Sequence, residues 1–352
     1  VWSENITASY FPTTSIIKTM SELRQDLTSG DWVLIAPGRA ARPKFLEKKK
    51  ALRKPSPKST CPFEDLKKTG NWPPKFIYPS EKKWEIVVVL NKYPAIERGQ
   101  VCSVPFRHGI YHVRTAVGTH NLLITRDHHK HFADLSKTEA VKVFEVFRAF
   151  HDIAAKDKCA AYISTFYNYG PDAGASIWHP HYQMLTLPII PPHNVRSLRG
   201  ANDYYKKFGR CVRCDIIKVE RKKNTRVIVE NEHAIAIAPY ASERPFEVSV
   251  IPKKHWPSFR ETSPAAVRDV ALALQSVLQK MRKQLNDPDL NFFIHDTPLD
   301  HKDYRYHHWH IEVIPKTALE AGFEFSTRIE INVVDPDNAA AILRGKRSGS
   351  AH

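Results

Sequence analysis

One series of residue types occurs twice along the chain. Cys61-Pro-Phe-Glu64 is followed by His128, an apolar-periodic stretch, and His179-Pro-His181-Tyr-Gln183. Cys211-Val-Arg-Cys214 is followed by His255, a second such stretch, and His308-Trp-His310-Ile-Glu312. His128 and His179 stand 51 residues apart, and His255 and His308 stand 53 apart. From Cys61 to His128 is 67 residues, against 44 from Cys211 to His255, so the first copy carries a long insertion. Asn91–Ala95 and Asn231–Ala241 also occupy similar places in the two halves. Self-similarity in fixed order implies a duplicated unit, so both halves must share one fold.

The periodicity inside each copy names that fold. Ser136 and Glu139 have capping-box spacing, and Val143, Phe144, Phe147, Phe150 and Ala154 then fall on one helical face. Ser263 as N-cap and Pro264 at the first helical position open a second long helix, striped by Val267, Val270, Leu274, Val277, Leu278 and Met281. Short apolar or alternating runs bounded by turn residues predict strands at 32–36, 84–90, 121–125, 161–166, 183–187, 226–230, 234–238, 247–251, 291–295 and 310–314. Each helix follows one group of strands and precedes another. The pattern predicts an α+β chain of two tandem units, each a largely antiparallel sheet with a long helix on one face. The expected divisions are an N-terminal extension over 1–19, units over 20–198 and 199–344, and a flexible tail over 345–352.

A length of 352 residues suits two such units, and 42% hydrophobic with 26% charged residues is an ordinary globular balance. No apolar run reaches the ~20 residues of a membrane span, and no signal peptide is expected. Five cysteines, an odd number at low density, predict no disulfide framework and a cytoplasmic setting. The net charge of +16 favours polyanionic partners, either phosphorylated small molecules or nucleic acid. The densest basic run, 44–58, reads as a solvated loop, and no nucleic-acid-binding motif accompanies it, so nucleic acid is not the expected partner.

The repeated residues carry metal chemistry. Cys211 and Cys214 offer two soft thiolates, and His255 and His308 at matching repeat positions complete a closed, structural zinc shell. Cys61, Glu64, His128 and His179 form the equivalent set, with a carboxylate where the second thiolate would be. Zinc accepts that donor set as well, for two ions per chain. His129 or His131 could stand in for His128.

His179, His181 and Gln183 alternate onto one face of a strand. Imidazole can form a covalent intermediate, and a neighbouring amide can donate to a phosphoryl oxygen as charge develops there. Just upstream, Gly174 permits close backbone approach, and Ser176 offers a hydroxyl and an N–H to a phosphate. Arg39 and Arg42, in a proline-bounded loop after a strand, suit a bidentate grip on phosphates.

At these residues the chain resembles the galactose-1-phosphate uridylyltransferase branch of the histidine-triad superfamily. The similar pieces are RQDLTSGDWVLIAPGRAARP, CPFE, NKYPA, TRDHHKHFADLS, NYGPDAGASIWHPHYQ, CVRCDI, FIHDTP, HHWHIEVIP and AGFEF, in the family's order from about Met20 to Arg344. The resemblance implies two histidine-triad-like domains packed as one unit, a homodimer, and ping-pong transfer through a nucleotidyl-histidine. It implies His181 as nucleophile and Gln183 as the phosphate-stabilising amide. Arg39, Arg42, Asn91, Asn168, Gly174 and Ser176 would hold substrate. Some relatives bind a metal through a Glu downstream of the HPHxQ motif and later histidines; 191–197 has no such Glu, which speaks against that site. Tyr182 stands where the family has a small residue, which predicts crowding of the phosphate pocket. Glu312, in the place of Gln183, predicts that His310 is not a second nucleophile.

The implied reaction belongs to galactose metabolism: UMP passes between UDP-glucose and galactose 1-phosphate through a uridylyl-histidine. The alternatives are an adenylyl-transferring relative, acting as an ADP-sugar or dinucleoside-polyphosphate phosphorylase, and a non-catalytic nucleotide- or RNA-binding protein.

Overall fold

The computed structural model describes residues 20–41 and 55–346. The extension over 1–19, Arg42, most of the basic run and the tail beyond 346 lie outside the described residues. In chain order the elements are β1 (Glu22–Gln25), β2 (Trp32–Ile35), β3 (Phe76–Tyr78), β4 (Ile86–Leu90), β5 (Pro105–His108), β6 (Tyr111–Arg114) and β7 (His120–Thr125). There follow α1 (Lys137–Ala155), β8 (Tyr162–Tyr169), β9 (His181–Leu187), α2 (Pro192–Phe208), α3 (Val212–Lys223), β10 (Val227–Glu230), β11 (Ala234–Ile237) and β12 (Val248–Pro252). The chain continues through α4 (Pro264–Gln284), β13 (Leu290–His295), β14 (His310–Pro315), α5 (Gly322–Thr327), β15 (Glu330–Asn332) and α6 (Pro336–Leu343).

Ten strands form one antiparallel sheet in the order β10-β11-β12-β14-β13-β8-β9-β7-β4-β3. Read outward from its centre, β8-β9-β7-β4-β3 repeats as β13-β14-β12-β11-β10. The duplication is therefore built as two half-sheets joined edge to edge through β8 and β13, with Asn168 opposite Asn291.

The two long helices begin as their caps predict. The Ser136 Oγ accepts from the Glu139 N–H while the Glu139 carboxylate accepts from the Ser136 N–H. The Ser263 Oγ accepts from the Ala266 N–H, and Pro264 opens α4. Their apolar stripes share one core with the sheet: Phe144 and Phe147 of α1 and Val270, Leu274 and Val277 of α4 are buried with Tyr182, Phe292 and Val313. On the opposite face, Cys61, Phe63 and Leu66 pack over Val87, Val89, Leu122 and Ile124. A separate three-stranded sheet, β1-β2-β15, draws the C-terminal segment back against residues 22–35.

Every strand run read from the sequence is a strand, with ends moved by up to three residues. Four helices, α2, α3, α5 and α6, were not foreseen. Only Leu198 and Ala201 are buried on α2, and its Gly200 sits where a Cβ would meet the Thr28 carbonyl oxygen at 2.0 Å. The expected insertion in the first copy is the β5–β6 hairpin with its flanks, closed by pairing of Glu97 with Val117.

The cysteine reading needs correction: Cys102, in that insertion, and Cys159, after α1, form a disulfide. The odd count hid a pair because the other three cysteines belong to metal-type clusters. Cysteine usage therefore no longer argues for a reducing compartment. Among the described residues no helix is long and apolar enough to cross a membrane.

Candidate active site and metal centres

The β9 strand alternates in burial: Tyr182, Met184 and Thr186 are buried, and His181, Gln183 and Leu185 are partly buried on the other face. Tyr182 goes into the core, its ring stacked 4.6 Å from Tyr167 and packed by Phe132, Phe147 and Phe292. It therefore cannot crowd a phosphate beside His181; period-two alternation turns neighbouring side chains to opposite faces.

On the other face, the His181 Nδ1–H donates to the His179 carbonyl oxygen at 2.9 Å. A carbonyl can only accept, so the ring proton lies on Nδ1 and the Nε2 lone pair is free. Burial lowers the His181 pKa, which keeps the ring neutral. His181 lines a pocket of about 230 Å³ with Asn168, Gly170, Ser176, Ile177, Trp178 and others. Asn168 is held from the second half: Asn291 Nδ2–H donates to its Oδ1 at 2.9 Å and to the Ala173 carbonyl at 2.9 Å. Gly170 and Gly174 bracket the intervening turn at φ +86° and +85°. At Gly170 a Cβ would lie 2.2 Å from the Asp289 carboxyl carbon, so only glycine fits.

Of the other expected substrate residues, Gln183 shares the His181 face and meets His120, and Asn91 also lies against His120. Arg39 is exposed on the turn after β2 and does not line the His181 pocket. Arg42 falls outside the described residues. His120 was not singled out from the sequence. The structure brings it there: His120, Leu122 and Ile124 of β7 share a face, with Leu122 opposite Gln183 and Ile124 opposite His181.

The two metal-type clusters have the same construction. In the first, the Cys61 Sγ is 3.6 Å from His179 Nδ1, and Glu64 Oε1 is 3.1 Å from His128 Nδ1 and 3.4 Å from His179 Nδ1. His128 Nε2–H donates to the Ser56 carbonyl at 2.9 Å and His179 Nε2–H to the Thr125 carbonyl at 2.7 Å. In the second, Cys214 Sγ lies 3.4 Å from His255 Nδ1 and 3.5 Å from His308 Nδ1, with Cys211 Sγ 4.0 Å from the latter. His255 and His308 donate through Nε2–H to the Arg305 and Pro252 carbonyls.

In all four rings a carbonyl fixes the proton on Nε2 and turns an unprotonated Nδ1 inward, as metal ligation requires. Tetrahedral bonds of 2.0–2.3 Å imply donor–donor edges of roughly 3.2–3.8 Å, close to those observed. Both clusters therefore fit a zinc ion. The alternatives to His128 are turned elsewhere: His129 Nδ1 accepts from the Trp178 indole, and His131 Nδ1 meets the Tyr167 hydroxyl. Cys211 caps α3, where the helix N-terminus favours a thiolate.

In the second half, His310 is buried and its ring stacks 4.7 Å from that of His295. Glu312 lies 3.0 Å from His295 Nε2 and 3.6 Å from His310 Nε2. Donor atoms of these three residues also gather within 4.8 Å.

Residues 111–345 match the model of a domain of unknown function, DUF4921. The chain is 34% identical over 339 residues to the ADP-glucose phosphorylase of Arabidopsis thaliana, covering 94% of each. It is 31% identical over 255 residues to the galactose-1-phosphate uridylyltransferase of Haemophilus influenzae, covering 71% of this chain and 70% of that one. The crystal structure of an ADP-glucose phosphorylase from A. thaliana with bound ADP-glucose superposes with a TM-score of 0.79 at 30% identity, over 92% of this chain and 99% of that one. Similarity that runs through both half-sheets at such identities leaves one assignment, and the chain belongs to the galactose-1-phosphate uridylyltransferase family of nucleotidyltransferases.

Proposed function

We propose that the chain transfers a nucleotidyl group through His181, and that its donor is an ADP-sugar with inorganic phosphate as acceptor. The His181 Nε2 lone pair attacks the α-phosphorus of the nucleotide sugar. A P–N bond forms, the bond from the α-phosphorus to the bridging oxygen breaks, and sugar 1-phosphate leaves with both electrons. Phosphate then attacks the nucleotidyl-histidine, releasing a nucleoside diphosphate and restoring the ring. In the intermediate the imidazole carries positive charge, and the His179 carbonyl, accepting from Nδ1–H, faces that charge. Gln183 would donate to the α-phosphoryl oxygens as charge grows there. Asn168 and Ser176, with Gly174 allowing close approach, would hold the phosphates. Arg39 and Arg42 would supply positive charge to the phosphates.

The observation that carries this reading is the fixed tautomer of a pocket-lining histidine beside an amide on the same strand face. The choice of adenine rests on the A. thaliana relative and its complex with ADP-glucose. A second reading, UMP transfer between UDP-glucose and galactose 1-phosphate, is favoured by the H. influenzae relative. Zinc at Cys61, Glu64, His128 and His179, and at Cys211, Cys214, His255 and His308, would supply cross-linking rather than chemistry. The first ion would fix the start of β9.

Intact-mass spectrometry after incubation with ADP-glucose or UDP-glucose tests the proposal. An AMP adduct, absent in His181→Ala, supports it, and a UMP adduct alone selects the second reading. No adduct with either would refute transfer and leave a nucleotide- or RNA-binding role.

A further inference from the structure

We propose that His120 is a positioning residue that decides which end of the Gln183 amide faces the reacting phosphorus. The proposal deepens the nucleotidyl-transfer reading and rests on it. His120 is the first residue of β7 and is buried, 6% exposed. Its Nδ1 lies 3.1 Å from the backbone N–H of Ala95, and its Nε2 lies 2.8 Å from Gln183 Oε1.

The chain of polarity starts at a group that cannot reverse. A backbone N–H can only donate, so His120 Nδ1 must accept. The single proton of the neutral ring is then on Nε2, and that N–H needs an acceptor. Gln183 has one, its Oε1. Its NH₂ is left to point away from His120, on the strand face that carries His181. An amide alone has no such preference. Turned over, Gln183 would set Oε1 lone pairs against a phosphoryl oxygen and repel it.

The turn that presents Ala95 is itself held. Asn91 Oδ1 accepts from the Tyr93 N–H at 3.0 Å. The Asn91 Nδ2 lies 3.4 Å from His120 Nδ1 and 3.2 Å from Nε2, so the same residue that holds the turn also packs against the ring. Burial lowers the His120 pKa, against the hydrogen bond to Gln183, which keeps Nδ1 an acceptor. The second half supplies a contrast. Matched register, Leu122 opposite Gln183 and Ser249 opposite Glu312, puts Glu247 in the place of His120. The half that lacks the amide also lacks the histidine.

Four proteins are compared with wild type: His120→Leu, His120→Gln, Gln183→Ala, and the Leu/Ala double variant. Each is mixed with ADP-glucose and with UDP-glucose, and formation of the His181 adduct is followed in a single turnover. Nucleotide-sugar affinity is measured separately. Gln183→Ala should slow labelling by roughly 10²–10³-fold, as for loss of one transition-state donor. His120→Leu should slow it about 10–100-fold with affinity little changed, since the donor is misdirected rather than absent. His120→Gln, whose amide N–H can reach Gln183 Oε1, should recover most of the rate. In the Gln183→Ala background His120→Leu should add nothing.

Labelling by His120→Leu at the wild-type rate overturns the role, and so does full slowing that persists without Gln183. The ¹⁵N shifts of His120 in the unsubstituted protein give a readout independent of turnover. A protonated Nδ1 overturns the proposal and a protonated Nε2 supports it. Wild-type protein that labels with neither sugar nucleotide overturns the transfer reading and the role together, an outcome distinct from any of these.

Discussion

Tyr182 separates the two faces of β9 most sharply. Its side chain is fully buried, and among the described residues its hydroxyl has no hydrogen-bond partner. Burial raises the phenol pKa, so the group is neutral at any working pH. Tyr182→Phe removes only that hydroxyl and leaves the ring between Tyr167, Phe147, Phe132 and Phe292. A buried polar group without a partner is destabilising by about 1–3 kcal/mol. The oxygen's lost dispersion contacts, at about 0.1–0.2 kcal/mol each, offset part of the gain. The net expectation is stabilisation by about 1 kcal/mol, or a melting rise of about 1–2 °C in a chain of this length. Tyr182→Ala, by contrast, should lose about 3–5 kcal/mol through the cavity it leaves. Denaturant unfolding and calorimetry measure both, with His181 labelling followed in parallel. Labelling by Tyr182→Phe should match wild type. A Phe variant less stable by more than about 1 kcal/mol would mean the hydroxyl is bonded; faster labelling would mean the ring does reach the phosphates.

Three further outcomes follow from the metal-type clusters and the loop before β9. Cys214→Ser should lower zinc content by one ion per chain and reduce thermal stability, while His181 still accepts a nucleotidyl group; unchanged zinc content would remove the second site. Graded chelation of the wild-type protein should release the ion beside Glu64 first, and Glu64→Cys should abolish the difference between the two stages; one simultaneous stage in wild type would count against the weaker first site. Gly170→Ala, forced against Asp289 at positive φ, should slow labelling while both zinc ions stay bound. Normal labelling in that variant would mean the loop tolerates a shift.

Much of the fold was legible because its signals are local. Ser136–Glu139 and Ser263–Pro264 announce helices through capping chemistry, and the strand runs announce themselves by alternation. The spacing of His128 from His179 and of His255 from His308 carried the duplication. What the sequence could not carry was pairing at a distance. Nothing in it says that β8 and β13 join edge to edge, or that Asn291 reaches Asn168. α2 buries little of its apolar surface, only Leu198 and Ala201, and the close approach of Gly200 to Thr28 is a tertiary contact that no local pattern announces. Cys102 and Cys159 look alike in sequence to the cysteines of the metal-type clusters. The site residues on β9 were readable because one strand carries them. His120 was not, because its meaning depends on a turn folded from residues 91–95.

The seam between β8 and β13 makes the duplication indivisible. A fragment ending before β13 would leave β8 as a bare edge, its N–H and C=O groups open to any passing strand. It would also lose Asn291, which holds Asn168 and the Ala173 carbonyl in place. The half that carries Glu312 instead of an amide is thus the half that steadies its sister's loop. Such a division of labour would free the second copy from chemistry of its own while leaving it impossible to delete.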